Sequence, residues 1–451
     1  MKKDWLYPFL MGCERSFDES DARLRFEAFR KESAGIEKDE IVRRYVEHRL
    51  RQTGVVYGTP LASEETIAHH TPKGSPQRWA VFLAILDIEM RLAMEISCAL
   101  EHRSRGVIRL AEILVCLAVL CHRMRLARKL HALIPQLQEN EQDTDRLLSL
   151  CSKLDGLLPK HAYLAGNPLL GLPIHNSLNY VDAKTLGRIA ICYFELGTVD
   201  PSAISRILQY EDREKELLLR SMIGLLHADS PSHPGSARIL AGQIKAARLP
   251  LTVRGMLLRL TRNPGSPQAV AAAVDNDRIR DFILEQVILG SMLDGQVSAR
   301  ETEYIQELAG WLDVSPEGLA EREAQVVSFY EQHRAYLDLF TVGTAVLNYR
   351  KRMLERLQGS IVENLSLIVR EIKNTGELTE LLYRASRGDK LSPEERRRMG
   401  KQLLDILRSI PSLAIFSLPG GAVLLPLLFK FLPDGLKPRS FTEHNRKKDE
   451  G

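Results

Sequence analysis

The clearest helical pattern of the chain lies in residues 279–330, which read IRDFILEQVILGSMLDGQVSARETEYIQELAGWLDVSPEGLAEREAQVVSFY. Ser298 precedes Glu301 by three residues, the spacing of a capping box, and Ser315 followed by Pro316 is a second helix start. The helix after Ser298 has an inward apolar stripe at helical spacing. It consists of Tyr304, Ile305, Leu308, Ala309 and Leu312. The pattern predicts three helices that bury one another.

The composition extends this helical character to the whole chain. Of 451 residues, 44% are hydrophobic and only 6% are aromatic, and β-branched runs are rare, so intrinsic propensity favours helix over strand. We therefore predict an all-α, multi-helix protein. The 62 basic and 58 acidic residues nearly balance, which argues against a dedicated nucleic-acid binder.

The cysteines and the N-terminus indicate a reducing compartment. Six cysteines in this length are too few for a disulfide framework, and none belongs to a CxxC pair. Residues 1–20 contain Asp4 and Glu14 and no sustained apolar stretch, so we expect no secretory signal and a cytoplasmic body.

Helix breakers and composition predict five regions along the chain. They are an N-terminal helical region at 1–160, a helical middle region at 161–275, a three-helix module at 276–340, connecting helices at 341–390, and an apolar segment with a basic tail at 391–451.

Three segments of the first two regions carry specific expectations. Residues 110–121, LAEILVCLAVLC, are too short to cross a bilayer and are predicted to form a buried core helix. Residues 160–182 are rich in Gly and Pro and are expected to form an irregular connection, with Asp182 as the N-cap of the next helix. The charges of residues 210–216 are expected to lie on a solvated helix face.

Residues 288–321, within the three-helix pattern, resemble the TerB-like module of tellurite-resistance and some chaperone-associated proteins. In that family, acidic residues near the turn are suspected of contacting metal, which makes Asp294 and Glu301 metal candidates. Capping already accounts for Glu301, and Asp294 is a single carboxylate. We therefore predict neither a metal site nor a cofactor.

Residues 409–429, SIPSLAIFSLPGGAVLLPLLF, form an uncharged run of about the 20 residues that a membrane span needs. Prolines and glycines interrupt it, so a regular helix would be kinked. Two structures remain open at this point: a Pro-kinked hairpin or helix that associates with the membrane through residues 409–432, and a hairpin buried in the protein's own core. Basic residues on both sides suit anionic headgroups.

Residues 391–441, which contain this run, resemble the start of the conserved region of the LETM family of mitochondrial inner-membrane proteins. The motif positions fall on Pro411, Pro419, Pro426, Lys430, Pro433 and Phe441. The resemblance implies a role in potassium/proton or calcium/proton exchange, in cation and volume homeostasis, and in ribosome binding. The order of a TerB-like module followed by this segment is similar to that of LETM-related proteins of bacteria, some described as biofilm-associated.

Two departures from the family pattern bear on function. The family has a glutamate in the apolar segment where this chain has Ala422, and an ionisable group at that depth is the natural cation carrier. Ten residues follow Phe441, whereas the ribosome-binding region of the family lies mainly beyond that position. Both departures argue against direct transfer of the family's activities.

Two hypotheses of different class follow, and neither is enzymatic, because the twelve histidines form no triad or HExxH pattern. The first is a membrane-associated, LETM-like protein in cation homeostasis, envelope stress or membrane-linked assembly, with membrane lipids, a protein partner or a second copy, and the ribosome as partners. The alternative is a soluble TerB-like scaffold for protein–protein interaction, with the apolar segment buried in its own core.

Overall fold

The computed structural model of the chain describes residues 5–33, 35–36, 38–57, 77–140, 144–158, 168–229, 234–291, 298–332, 358–389, 391–410, 428–429, 431–433 and 436. Across these ranges it contains 19 α-helices, one short 3-10 helix and no strand. The prediction of an all-α protein is therefore confirmed for the described part of the chain.

The chain divides into two compact units, Met1–Ile279 and Arg280–Gly451. The finer division into five regions stays a prediction. All six cysteines are unbridged, and five of them are buried.

The first unit is built from thirteen described helices that precede the boundary. They are α1 (Leu6–Arg15), α2 (Glu19–Glu32), α3 (Lys38–Gln52), α4 (Gln77–Ala99), α5 (Gly106–Leu120), α6 (Met124–His131), α7 (Ile134–Glu139), α8 (Asp145–Asp155), α9 (Pro168–Leu196), α10 (Pro201–Asp229), α11 (Pro234–Ala246), α12 (Leu251–Leu260) and α13 (Pro267–Ala271). Helix α9 is central, because it packs against α3, α4, α5, α10 and α11.

Helix α5 confirms the predicted core helix. Every residue from Arg109 to Leu120 is buried, so the apolar run is enclosed by protein on all sides. A helix that is hydrophobic all round is expected at the centre of a large helical domain. Its one buried base, Arg109, is neutralised by Glu14 of α1 and Glu19 of α2.

The expected irregular connection at residues 160–182 is wrong for its described part. The backbone of residues 168–196 is one helix, α9, and Asp182 lies in its middle rather than at an N-cap. Pro168 occupies the first position of the helix, where a missing N–H costs nothing. Tertiary packing of the long helix has overridden the local breaker composition.

The second unit contains the helices that follow. Helix α14 (Asp277–Gly290) crosses the boundary, and after it come α15 (Ala299–Trp311), α16 (Pro316–Gln332), α17 (Leu365–Asn374), α18 (Gly376–Arg387) and α19 (Pro393–Ser409). The predicted helix starts are confirmed: Ser298 caps α15, and the Ser315 hydroxyl accepts the Gly318 N–H of α16 at 3.1 Å. The predicted stripe of α15 is buried.

Helices α17, α18 and α19 pack pairwise against one another and enclose an aliphatic core. We call this core the C-terminal cluster. Its buried members are Ile361, Ile368, Ile372, Leu378, Leu382, Leu403, Leu407, Ile410, Leu428, Leu432 and Leu436.

Candidate functional site

Most of the predicted membrane motif lies outside the described residues. This applies to Pro411, Pro419, Pro426, Lys430 and Phe441. The remaining motif residue, Pro433, is exposed, and its carbonyl oxygen accepts the backbone N–H of Leu436 at 2.8 Å. Among the described residues, no helix has both the length and the apolar character needed to cross a membrane.

Two described residues within the apolar run, Ile410 near its start and Leu428 near its end, belong to the same C-terminal cluster. Ile410 is 3% exposed and Leu428 is fully buried. Leu432 and Leu436 join them from the far side of the run, and Phe429 and Phe431 pack against the cluster. The described residues before and after 411–427 thus contribute to one apolar core.

Helix α19, which directly precedes Ile410, has a basic surface. A capping box between Ser392 and Glu395 starts the helix. Arg398 pairs with Glu377 of α18 at 2.9 Å. Arg397 and Lys401 are exposed, and within the described structure neither forms an ion pair.

The metal candidates of the TerB-like turn are only half described. Asp294 lies outside the described residues. The Glu301 carboxylate accepts the Ser298 N–H at 2.9 Å, while the Ser298 hydroxyl accepts the Glu301 N–H at 3.1 Å, so both are used to cap α15. Among the described residues, no three His, Cys, Asp or Glu side chains are grouped in a way that could hold a metal ion.

A buried network of charges joins α9 and α10 in the first unit. Lys215 of α10 lies between two carboxylates, with its Nζ 2.5 Å from Asp182 of α9 and hydrogen-bonded to Glu211 of α10. All three side chains are nearly inaccessible to solvent. Burial and, to a smaller extent, the charge of Asp182 raise the pKa of Glu89 on α4.

A second group of charges lies beside the first on the same two helices. The Lys184 ammonium contacts Glu214 at 2.5 Å, and Arg188 reaches the other carboxylate oxygen at 3.2 Å. The Arg188 guanidinium also lies over the Tyr210 ring, 4.3 Å from its centroid. We call the two groups together the buried charge network.

Burial and neighbouring charges shift the pKa of the carboxyls in opposite directions. Burial raises the pKa of Glu89 to about 8, with a further contribution from the charge of Asp182. Burial also raises the pKa of Glu211 to about 7, although Lys215 opposes the shift. Burial would raise the pKa of Glu214 too, but Lys184 and Arg188 hold it below its ordinary value. The pKa values of Glu89 and Glu211 are thus raised toward neutral pH, and that of Glu214 is not.

A third charged contact ties the N-terminal helices to α4. Glu95 of α4 accepts two hydrogen bonds from Arg49 of α3, at 2.7 and 2.9 Å, and one from the Tyr45 hydroxyl at 3.0 Å. Arg25 of α2 donates a further bond at 3.0 Å. Such a buried acid is costly unless it is surrounded by donors, as it is here.

The expected solvated face at residues 210–216 is wrong, because Glu211, Glu214 and Lys215 are buried. The sequence held a usable signal. These residues continue the apolar stripe of α10 at helical spacing, so they share its inward face. That stripe includes Leu218, Met222 and Leu225. Their partners on α9 are distant in sequence and could not be assigned without the fold.

In comparisons with known proteins, no family model, curated protein or solved structure matches the chain.

Proposed function

We propose that this protein is a helical scaffold for protein–protein interaction and that its apolar C-terminal segment is buried in its own core. One observation carries the proposal: Ile410 and Leu428, near the two ends of the apolar run, belong to the same C-terminal cluster.

The shared cluster disfavours a single membrane crossing by the intervening residues. One crossing would separate the two ends by the thickness of the hydrocarbon core, about 30 Å. Side chains in one cluster are instead in contact through their immediate neighbours. Burying an aliphatic side chain stabilises a fold by about 1.5–3 kcal/mol. Burial of Leu428, Leu432 and Leu436 therefore favours packing of this segment against the C-terminal helices.

An exposed aromatic residue offers a contact point for a partner. Trp311 at the end of α15 is 55% exposed, although its neighbour Leu312 is buried. Tryptophan is enriched at the energetic centres of protein interfaces. The ion pairs of the first unit, in contrast, join its helices to one another.

Alkaline carbonate extraction of membranes from expressing cells tests the proposal. The full chain should be released from the membrane pellet, and so should a variant that lacks residues 411–427. The scaffold proposal is overturned if the full chain resists carbonate while the deletion variant is released.

Site-specific photo-cross-linking tests the contact point. A photoreactive residue at Trp311 should give a discrete adduct, whereas the same residue at Glu303, exposed on the same helix, should not. Equal adducts at both positions would contradict a partner site at the end of α15.

A second candidate is the LETM-like, membrane-associated role in cation homeostasis, envelope stress or membrane-linked assembly, with ribosome association. Arg397 and Lys401, which form no ion pair with the described residues, favour it, because basic residues near an apolar segment attract anionic headgroups. Carbonate resistance that depends on residues 411–427 would favour this candidate. Co-sedimentation with ribosomes would test the ribosome association.

A further inference from the structure

The segment between Asp229 and Asp275 contains no acidic residue. It contains six basic ones: Arg238, Lys245, Arg248, Arg254, Arg259 and Arg262. In a chain whose total charges nearly balance, this makes one stretch of the first unit locally cationic. The stretch includes α11, α12 and α13.

Helix α12 holds exposed leucines within this cationic stretch. Leu251 is 79% exposed and Leu258 is 42% exposed, and their seven-residue spacing places them on one face. Leu257 is fully buried and lies about 100° around the helix from Leu258, so a neighbouring face of α12 packs against the protein. The two leucines give this face of α12 an exposed apolar character within a cationic stretch.

This face of α12 is open rather than a groove. Gly255 lies between the two leucines, and among the described residues a Cβ added to it would meet no atom within 4 Å. A partner helix is usually held in a groove with apolar walls. Protruding leucines without walls fit the boundary between lipid headgroups and acyl chains better.

The basic residues around the leucines are available to bind an anion. Arg259 and Arg262 are exposed, as is Lys245 on α11. In the described part of the chain, none of these three side chains forms an ion pair. Their charges are therefore not cancelled by neighbouring carboxylates, and they complement a negative surface.

We propose that α12 binds an anionic lipid bilayer peripherally, with Leu251 and Leu258 entering the interface and Arg259 and Arg262 contacting the headgroups. This inference goes beyond the scaffold function and does not involve residues 411–427. A scaffold with this surface would present its partners at a membrane without crossing it.

Co-sedimentation of the full chain with vesicles tests the proposal. The chain should bind vesicles of phosphatidylcholine containing about one third phosphatidylglycerol, and bind pure phosphatidylcholine vesicles far less. The variant Arg259→Gln with Arg262→Gln should bind the anionic vesicles about 25-fold more weakly, because each basic side chain near such a surface contributes about fivefold. Raising the salt concentration should release the native chain.

Two matched controls separate this surface from general effects. Arg125 and Arg128 on α6 are exposed and have the same spacing as Arg259 and Arg262, so their double Gln variant should bind like the native chain. Leu251→Gln should weaken binding, whereas Leu24→Gln should not, although Leu24 is 70% exposed.

Three results would overturn the inference. They are equal binding to both kinds of vesicle, equal weakening by the α6 control, and binding that survives the α12 changes but is lost with residues 411–427. The last result would also count against the scaffold function. Loss of binding by the α12 variant alone, with carbonate release unchanged, would leave that function intact.

Discussion

The buried charge network of the first unit and the C-terminal cluster of the second reach the same degree of burial with opposite chemistry. In the network, Lys215 and Glu214 are enclosed and are stabilised by oppositely charged partners. In the cluster, every buried member is aliphatic. The stability of a buried charge network depends on the pairing of its charges, whereas the stability of an aliphatic cluster depends on how well its volume is filled. The two regions should therefore fail in different ways.

The largest effect is expected from removal of the cation at the centre of the network. Lys215→Met leaves Asp182 and Glu211 buried without their shared partner. Breaking a buried ion pair from one side costs about 3–5 kcal/mol. Urea unfolding followed by circular dichroism should show this decrease in the free energy of unfolding.

The control for this change is Lys129→Met on the exposed side of α6, which should be nearly neutral. Adding Asp182→Asn and Glu211→Gln to Lys215→Met should recover much of the lost stability, because no unpaired charge then stays buried. A Lys215→Met variant as stable as the native chain would remove the distinction between the two regions.

The next effect concerns the cluster. Leu428→Ala removes a fully buried side chain and should cost about 3 kcal/mol through lost burial and the cavity left behind. Hydrogen exchange should show lost protection in α17, α18 and α19 and no change in α9 and α10. Val362→Ala is the matched control, since Val362 is 54% exposed. Uniform loss of protection in both units would contradict a local role for Leu428.

Helical spacing predicted the start and the buried face of α15 but little of the network. The capping box at Ser298 and the buried stripe of α15 are local patterns, and the structure confirms them. The run of α9 through residues 168–182 was missed, because long-range packing stabilises a helix that its composition disfavours. Asp182 was accordingly misread as a cap.

The network also predicts a pH dependence that the cluster lacks. The pKa of Glu89 is raised from its ordinary value of 4.5 to about 8, so the folded chain holds a proton that the unfolded chain releases. Raising the pH through this window therefore favours unfolding. Relative to Glu89→Gln, the native chain should lose about 1.4 kcal/mol per pH unit between about pH 5 and pH 8, and no more above it.

Urea unfolding at several pH values measures this difference. The exposed Glu139→Gln variant should keep the pH dependence of the native chain. A flat difference between the native chain and Glu89→Gln would mean that Glu89 is ionised in the fold throughout this range.

The candidate site was the hardest part to predict, for a physical reason. Whether Glu214 is solvated or buried depends on Lys184 and Arg188, which lie some thirty residues earlier on another helix. A pattern within one helix contains the inward stripe but not the identity of the residues across it. The motif residues around Pro411 lie outside the described structure, so the resemblance that named them stays a prediction.

The smallest effect is expected from loss of a polar group that caps the start of a helix rather than one that belongs to the buried charge network. Ser298→Ala removes one half of the capping box with Glu301 and should cost about 1 kcal/mol. Ser392→Ala breaks the matching box of α19 and should cost a similar amount. If Glu301 serves only the cap, added Mg²⁺ or Zn²⁺ should leave the thermal stability of the native chain unchanged. A stabilisation by either cation that disappears in Glu301→Gln would instead make Glu301 a metal ligand, and capping would no longer be a sufficient account of its burial.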